Sequence, residues 1–184
     1  MGRHRTIDRD IVLDAAESIV RTQGIAALTI DAVARGAGIT KGGVQSSFGT
    51  KDQLIEAMYH RWGAQFDADV NARAGVSPDP IKAIGAHIEV TYAADDVQGD
   101  RAASMMAALL NAPEHLQGSR DWYAERMAGL DFSTAEGRAA RLAFLATEGT
   151  FMLRRFGFMT MSPAQWDDVF ADIRALLPQS APGK

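Results

Sequence analysis

Five neighbouring residues combine the polar and small side chains that suit hydrogen bonding to a nucleic acid. The side chain of Gln45 can pair with adenine through two hydrogen bonds, and the hydroxyls of Ser46 and Ser47 can meet bases or phosphates. Just before them stand Gly42 and Gly43, where missing side chains let backbone N–H groups approach phosphates. Small polar residues also occur on helix faces that only meet water, so the segment needs support from the elements around it.

Positive charge near this segment is sparse. Residues 1–60 hold seven Lys/Arg and seven Asp/Glu, while the whole chain of 184 residues carries a net charge of −4. DNA binding therefore depends on where the cations lie and not on their number. Lys41 opens the polar segment, and Arg3 and Arg5 lie on an N-terminal arm that can enter a minor groove or contact phosphates.

A second group of residues suits the binding of a small apolar or aromatic molecule. Methionine and aromatic side chains line such pockets, although the same residues also fill ordinary cores. His87 and Thr147 add groups able to hydrogen-bond a ligand, but a lone histidine on a helix is more often structural. The apolar candidates are Met58, Trp62, Phe66, Tyr92, Met105, Met106, Trp122, Tyr123, Met127, Phe144 and Phe151.

The motifs of common enzymes are absent from the sequence. There is no cysteine, no glycine-rich phosphate loop, no HExxH motif and no nucleophile elbow, and the four histidines lack partner spacing. The acidic run Asp95, Asp96 and Asp100 reads as a loop without the calcium-binding pattern. We expect no enzyme activity, no cofactor and no metal. The alternative that stays open is a ligand-binding or protein-interaction module that no longer binds DNA.

The elements that would position the polar segment are three successive helices with strong start signals. Thr29 and Thr40 can each cap a helix, and Thr50 forms a capping box with Gln53. Gly38 ends the first of these helices. A connection of three or four residues forces the flanking helices to cross steeply, as in a helix-turn-helix.

Helical spacing of apolar residues continues along the chain, which predicts an all-α fold. An amphipathic helix precedes Gly24, a long helix runs from Thr50 to Ala74, and four or five more helices follow. The last two should begin at Ser133 and at Ser162. We place the domain boundary near Phe66, which gives an N-terminal helix-turn-helix domain, 6–66, and a C-terminal helical ligand-sensing and dimerisation domain, 67–178.

Residues 6–66 resemble the tetracycline-repressor (TetR) family of bacterial regulators. The resemblance covers about a third of the chain, while the remainder is similar only in helix number and order. The residues that carry it are Ile11–Ala16, Gly24–Ile30, Val33-Ala34, Ala37–Val44, Phe48 and Thr50–Leu54.

The resemblance implies a repressor that binds a palindromic double-stranded DNA operator as a homodimer and leaves it when a small-molecule effector enters the C-terminal domain. It also implies a recognition helix that opens at Lys41, a phosphate contact from Lys51, and a dimer formed by the last two helices. The family often has tyrosine and histidine where this chain has Gln45–Ser47. The predicted DNA-binding residues are Arg3, Arg5, Thr29, Thr40, Lys41, Gly42, Gly43, Gln45, Ser46, Ser47, Thr50 and Lys51.

The last two predicted helices carry more apolar residues than one protomer of this size needs. This excess favours a large dimer interface, and an interior hairpin of a monomer is the alternative. With no signal peptide and no apolar run of ~18 residues, we expect a soluble, cytoplasmic protein without a membrane partner. The apolar and small residues of the last two predicted helices are Ala139, Leu142, Ala143, Leu145, Ala146, Gly149, Met152, Leu153, Trp166, Val169, Phe170, Ile173 and Leu176.

Overall fold

The computed structural model describes residues 7–76, 78–110 and 116–178. Within these ranges the secondary structure is helical without any strand, which confirms the predicted all-α class. The helices are α1 Arg9–Gln23, α2 Ile30–Ala37, α3 Lys41–Phe48, α4 Lys51–Ala74, α5 Pro80–Ala93, α6 Asp96–Leu110, α7 Leu116–Met127, α8 Ala135–Arg155 and α9 Pro163–Ala175, with a 3₁₀ turn at Ile25–Ala27.

The predicted helix starts around the polar segment are confirmed. The hydroxyl of Thr29 accepts the Ala32 N–H at 3.1 Å, and the hydroxyl of Thr40 accepts the Gly43 N–H at 3.1 Å. At the start of α4, the Gln53 N–H donates to the Thr50 hydroxyl at 3.2 Å and the Thr50 N–H donates back to Gln53 at 2.9 Å. These bonds satisfy backbone donors that a helix leaves open at its first turn, so they fix where α2, α3 and α4 begin.

The predicted start of α8 was wrong. Thr134 and not Ser133 caps α8, because Ser133 is held by Asp131, whose carboxylate accepts both its hydroxyl at 2.6 Å and its N–H at 2.9 Å. These two bonds lower the pKa of the Asp131 carboxyl.

The acidic run at 95–100 belongs to a helix start and not to a loop. The Asp95 carboxylate accepts the Gln98 N–H at 2.8 Å, and the Gln98 side chain accepts the Asp95 N–H at 3.2 Å. This reciprocal pair is a capping box, and negative charge in a first helical turn is favoured by the helix dipole. Asp96 and Asp100 therefore lie in α6.

The described residues group into two compact units. The N-terminal unit holds residues up to Ala64 and those described within 100–117, and the C-terminal unit holds 65–99 and the residues from Gly118 onward. The domain limits predicted from the sequence, 6–66 and 67–178, stay a proposal. Among the described helices, none is long and apolar enough to cross a membrane.

The core of the N-terminal unit fixes α3 from the inside. Val44 and Phe48 are buried, and they belong to one cluster with Val12, Val33 and Leu54. Burying one such side chain contributes about 1.5–3 kcal/mol. The opposite side of α3 is thus presented to solvent in a fixed orientation.

A buried carboxylate joins three helices of the same unit. Glu17 of α1 accepts hydrogen bonds from Arg61 of α4 at 3.2 Å and from Arg101 of α6 at 2.9 Å. Arg61 also lies 2.8 Å from the exposed carboxylate of Asp14. Burial alone would lower the pKa of Arg61, but the bonds to Glu17 and Asp14 outweigh it and the pKa is raised.

The core of the C-terminal unit is formed mainly by α5, α8 and α9. Ile84 and Ile88 pack in one cluster with Phe144, Phe170 and Ile173, all of them buried. Helix α9 starts after Ser162, as predicted, where Ser162 and Gln165 form a capping box with bonds in both directions. Helix α8 therefore has one side committed to this core, and its other side carries the exposed residues described below.

Candidate nucleic-acid interface and ligand site

Helices α2 and α3 are joined by the short turn that the sequence predicted. Gly38 adopts a left-handed conformation with φ of 66°, and the Ile39 N–H donates to the Ala34 carbonyl at 3.0 Å. A left-handed residue is easiest for glycine, so this position ends α2 sharply and redirects the chain into α3. The two helices form the helix-turn-helix pair.

The outer surface of α3 brings several of the predicted DNA-binding residues together. Lys41, Gly42, Gln45 and Ser46 are exposed, while Gly43 and Ser47 are half-buried. An alanine methyl at Gly43 would come 2.9 Å from the Ile7 side chain, so this glycine lets the chain before α1 pack against α3. Gly42 has open space around it and offers its backbone to an approaching molecule.

Two polar side chains on this surface already have partners. The Ser46 hydroxyl donates to the Gly43 carbonyl at 3.0 Å, which leaves its oxygen free to accept a bond from a base or water. The Lys41 ammonium lies 3.2 Å from the Asp31 carboxylate, and both side chains are more than half exposed. Such a pair is weak in water, so Lys41 can exchange it for a phosphate at little cost.

Arg9 is a cation at this surface that the sequence interpretation missed. Its guanidinium lies 4.0 Å from the centroid of the Phe48 ring and donates to the Ser47 carbonyl near the end of α3. Such a position suits a cation, because the last carbonyls of a helix carry partial negative charge. No local pattern around Arg9 indicates this contact, which joins residues 38 positions apart.

The remaining predicted DNA-binding residues lie at helix starts or outside the structure's range. Thr29, Thr40 and Thr50 are exposed and hold their helices as caps, and Lys51 is half-buried in the first turn of α4. Arg3 and Arg5 lie outside the described residues.

Five of the predicted ligand-binding residues meet in the C-terminal unit, and we call them the aromatic cluster: Phe66, His87, Trp122, Tyr123 and Phe144. The buried His87 ring is at the centre, with ring centroids 4.8 Å from Phe144, 5.1 Å from Phe66 and 5.9 Å from Trp122. The Tyr123 ring contacts Trp122 and Phe144. These residues come from α4, α5, α7 and α8.

Glu148 of α8 is the functional candidate that the sequence interpretation missed. Its Oε1 lies 2.7 Å from His87 Nε2, and its Oε2 accepts the Tyr123 hydroxyl at 2.8 Å. The Glu148 side chain is only 13% exposed, in a stretch of α8 whose neighbours are mostly apolar. A single acid among apolar residues was the available signal, because a buried charge needs a partner.

Trp122 is held from its outer side by charged residues. Its indole N–H donates to the Asp67 carboxylate at 3.0 Å, and the Arg126 guanidinium lies 4.3 Å from its ring centroid. Arg126 also pairs with Asp67. These contacts fix the orientation of one wall of the aromatic cluster.

Other predicted ligand-binding residues lie elsewhere. Met58 and Met105 are buried in the core of the N-terminal unit, with Trp62 packed against that core. Tyr92 contacts Phe170, and its hydroxyl donates to Asp167 at 3.1 Å. The buried Thr147 hydroxyl donates to the Ala143 carbonyl at 2.8 Å. Met127 packs against the core of the C-terminal unit, and Met106 and Phe151 are half-buried.

The apolar residues of α8 and α9 divide into an inner and an outer group. Ala143, Trp166, Phe170 and Ile173 are buried within the protomer. The outer group is exposed and consists of Leu142, Leu145, Met152, Leu153 and Leu176. Four of these five lie on α8, so α8 carries most of the exposed apolar side chains in this set.

The helix-turn-helix and the helical unit behind it define a DNA-binding transcriptional regulator of the all-α class. Two family profiles match the chain: "Bacterial regulatory proteins, tetR family" at residues 12–58, and "Tetracyclin repressor-like, C-terminal domain" at residues 82–178. The chain therefore belongs to the TetR family of transcriptional regulators, whose members bind DNA and small-molecule effectors.

The curated relatives are regulators named BetI. The one from Rhizobium meliloti is 28% identical over 101 residues, which cover 55% of this chain and half of that protein's length. The one from Brucella anthropi is 29% identical over 143 residues, 72% of each chain. Among solved structures, the multidrug binding protein EbrR complexed with imidazole has a TM-score of 0.71 at 23% identity, covering 98% of both chains. That likeness supports the fold.

Proposed function

We propose that this regulator represses transcription as a homodimer on a palindromic operator, and that a small lipophilic or aromatic effector releases it. The observation that carries the proposal is the outer surface of α3, where Gln45, Ser46 and Gly42 face solvent while Val44 and Phe48 anchor the helix. Two such helices can enter successive major grooves when they lie one helical turn apart, about 34–36 Å.

The proposed contacts divide by role. Gln45 and Ser46 read base edges, and the backbone at Gly42 together with Lys41, Lys51 and the newly found Arg9 contacts phosphates. Gln45–Ser47 include no tyrosine or histidine, so this chain contacts its operator without the aromatic rings that relatives often carry there. The capping threonines Thr29, Thr40 and Thr50 act indirectly, by holding the helix starts.

The release step is proposed to act on helix α4. This single helix begins with Lys51 and contains Phe66, a member of the aromatic cluster. An effector that favours a different conformation of α4 changes operator affinity, and a coupling of 1–3 kcal/mol corresponds to roughly 5–150-fold. Support by analogy comes from EbrR, whose structures are described as complexes of a multidrug binding protein with malachite green and with ethidium.

The testing experiment is binding of the purified protein to labelled DNA flanking its own gene, with excess random DNA and two salt concentrations. We expect specific binding that weakens steeply at higher salt because phosphate contacts release counterions. Gln45→Ala should lower the specific affinity about tenfold, the effect of removing one good base contact. Gln23→Ala, at the exposed end of α1, is the matched control and should leave it unchanged.

Equal affinity of the wild-type protein for random DNA, both here and in a selection from the whole genome, would overturn the proposal. Such a result would favour a ligand-binding module that has lost its operator. Release is tested in the same assay, and an effector that saturates the protein without changing operator affinity would contradict the role given to α4.

A further inference from the structure

We infer that the aromatic cluster and Glu148 form a hydrogen-bond-accepting, negatively charged site for a flat aromatic molecule that carries N–H donors and a positive charge. The inference rests on the proposed function in taking this cluster as the effector site. It adds the chemical class of the effector, which the presence of aromatic side chains leaves open.

The first step is the direction of the hydrogen bonds around Glu148. Tyr123 donates its hydroxyl proton to Oε2, and His87 Nε2 lies 2.7 Å from Oε1. An ionised carboxylate can only accept, so Nε2 must carry the histidine proton in this bond. In a neutral imidazole with the proton on Nε2, the other ring nitrogen, Nδ1, carries a lone pair and is an acceptor.

The second step is that the side-chain donors of the aromatic cluster itself are already used, whereas the neighbouring Arg126 Nε is a buried donor without a hydrogen bond among the described residues. The Tyr123 hydroxyl and His87 Nε2 donate to Glu148, and the Trp122 indole N–H donates to Asp67 at 3.0 Å. The hydrogen-bonding capacity that remains in the aromatic cluster and Glu148 is that of acceptors. A carboxylate offers about four lone-pair positions, of which His87 and Tyr123 occupy one each.

The third step is an acceptor left without a partner in the interior. His87 is fully buried, and among the described residues its Nδ1 atom has no hydrogen bond. Buried polar atoms nearly always have a partner, from protein, water or ligand, because an unpaired one loses its hydration without compensation. A donor supplied by a bound molecule satisfies Nδ1.

The fourth step concerns charge. Glu148 brings a negative charge to the cluster, while Arg126, the cation beside Trp122, is paired with Asp67. The faces of Phe66, Trp122 and Phe144 are themselves electron-rich and attract cations. The carboxylate and the rings favour the same kind of ligand, a cation, and both disfavour an anion.

The test compares two dyes with the same three-ring skeleton, in the absence of DNA because both can bind it. Proflavine is cationic and carries N–H donors, whereas acridine at mildly alkaline pH is neutral and carries none. We expect wild-type protein to bind proflavine at least about tenfold more tightly than acridine, as measured by fluorescence or calorimetry.

Variants assign the preference to the named atoms. Glu148→Gln keeps the shape and removes the charge, and His87→Phe removes the Nδ1 acceptor; each should weaken proflavine binding about tenfold or more and leave acridine binding within about twofold. Asp168→Asn, which removes a charge from an exposed position of α9, is the control and should change neither affinity.

Equal affinity for the two dyes, no proflavine binding, or unchanged binding in Glu148→Gln would overturn the inference, the last by showing that the charge of Glu148 does not contribute to binding. The ratio of the proflavine and acridine affinities is measured on the wild-type protein, so the inference can be tested even if a variant misfolds. Operator binding without a preference for proflavine would contradict this inference and leave the repressor proposal standing. A preference for proflavine that depends on Glu148, without operator binding, would contradict the repressor proposal and leave this inference standing.

Discussion

Gly42 and Gly43 of α3 are adjacent, yet an added methyl group meets different surroundings at each. At Gly42 there is open space, whereas at Gly43 the methyl carbon would lie 2.9 Å from the Ile7 side chain. Glycine lowers helix stability by up to about 1 kcal/mol relative to alanine. Alanine substitutions at the two positions therefore distinguish the effect of helix propensity from the effect of packing against Ile7.

We predict that Gly42→Ala raises the free energy of unfolding, by up to about 1 kcal/mol, and at the same time weakens operator binding. Gly43→Ala should give a smaller gain or a loss of stability, because Ile7 must move. Chemical denaturation measures the first property and DNA titration the second. Unchanged operator affinity in Gly42→Ala would contradict the proposed backbone contact with phosphate at this position.

At the scale of elements, Glu17 connects helices α1, α4 and α6 through Arg61 and Arg101. We predict that Glu17→Gln lowers the free energy of unfolding by about 2–4 kcal/mol, because Arg61 and Arg101 lose the buried carboxylate that both of them bind. Asp14→Asn is the control: Asp14 also pairs with Arg61, but its side chain is 72% exposed and its loss should cost about 0.5 kcal/mol or less. Similar losses from both variants would show that burial of Glu17 carries no special weight.

The junction between α5 and α6 depends on Arg155 of α8. Arg155 of α8 donates to Asp96 at 2.9 Å and to the carbonyls of Ala94 and Asp95 at 3.1 and 3.2 Å, and its guanidinium occupies the space where Gly99 lacks a side chain. We predict that Gly99→Ala displaces this group and lowers the free energy of unfolding by about 2 kcal/mol.

The matched variant for this junction is Gly85→Ala in α5. Its methyl group would lie 3.5 Å from the Leu177 side chain, an ordinary contact, so the substitution should raise stability by up to about 1 kcal/mol. Thermal and chemical unfolding of the two variants gives the comparison. A stabilised Gly99→Ala protein would mean that Arg155 finds an equally good position elsewhere.

The helix starts were predictable because cap and backbone donor lie within four residues of each other, as at Thr29, Thr40 and Thr50. The Asp95–Gln98 capping box was equally local, but the acidic residues taken without Gln98 are typical of a loop. The contacts Arg9–Ser47 and His87–Glu148 join residues 38 and 61 positions apart. Only the packing of whole helices brings such pairs together, so the aromatic residues of the cluster could be proposed from the sequence, whereas the pairing of Glu148 with His87 could not.

For the whole molecule, the outer leucines of α8 are the surface on which the proposed homodimer depends. Leu142 and Leu145 are each 55% exposed, three residues apart on one side of the helix. Exposed apolar patches of this kind mark sites of association. We predict that Leu145→Glu converts the protein to monomers in analytical ultracentrifugation and thereby reduces operator affinity.

The control for this prediction is Ala124→Glu, which adds the same charge to an exposed position of α7. That variant should sediment like the wild-type protein. A Leu145→Glu protein that keeps the sedimentation behaviour of the wild type would exclude α8 as the main contact. A wild-type protein that is monomeric at all concentrations would instead support the interior-hairpin alternative.

The exposed side of α8 also has a consequence for how a promoter responds to the amount of regulator in a cell. If only paired protomers occupy the operator, then at low abundance the number of pairs grows with the square of the protomer concentration. Repression would then switch on over a narrower range of expression than a monomeric regulator permits. Conservative changes along Leu142 and Leu145 would shift that threshold while leaving the sequence preference of α3 untouched.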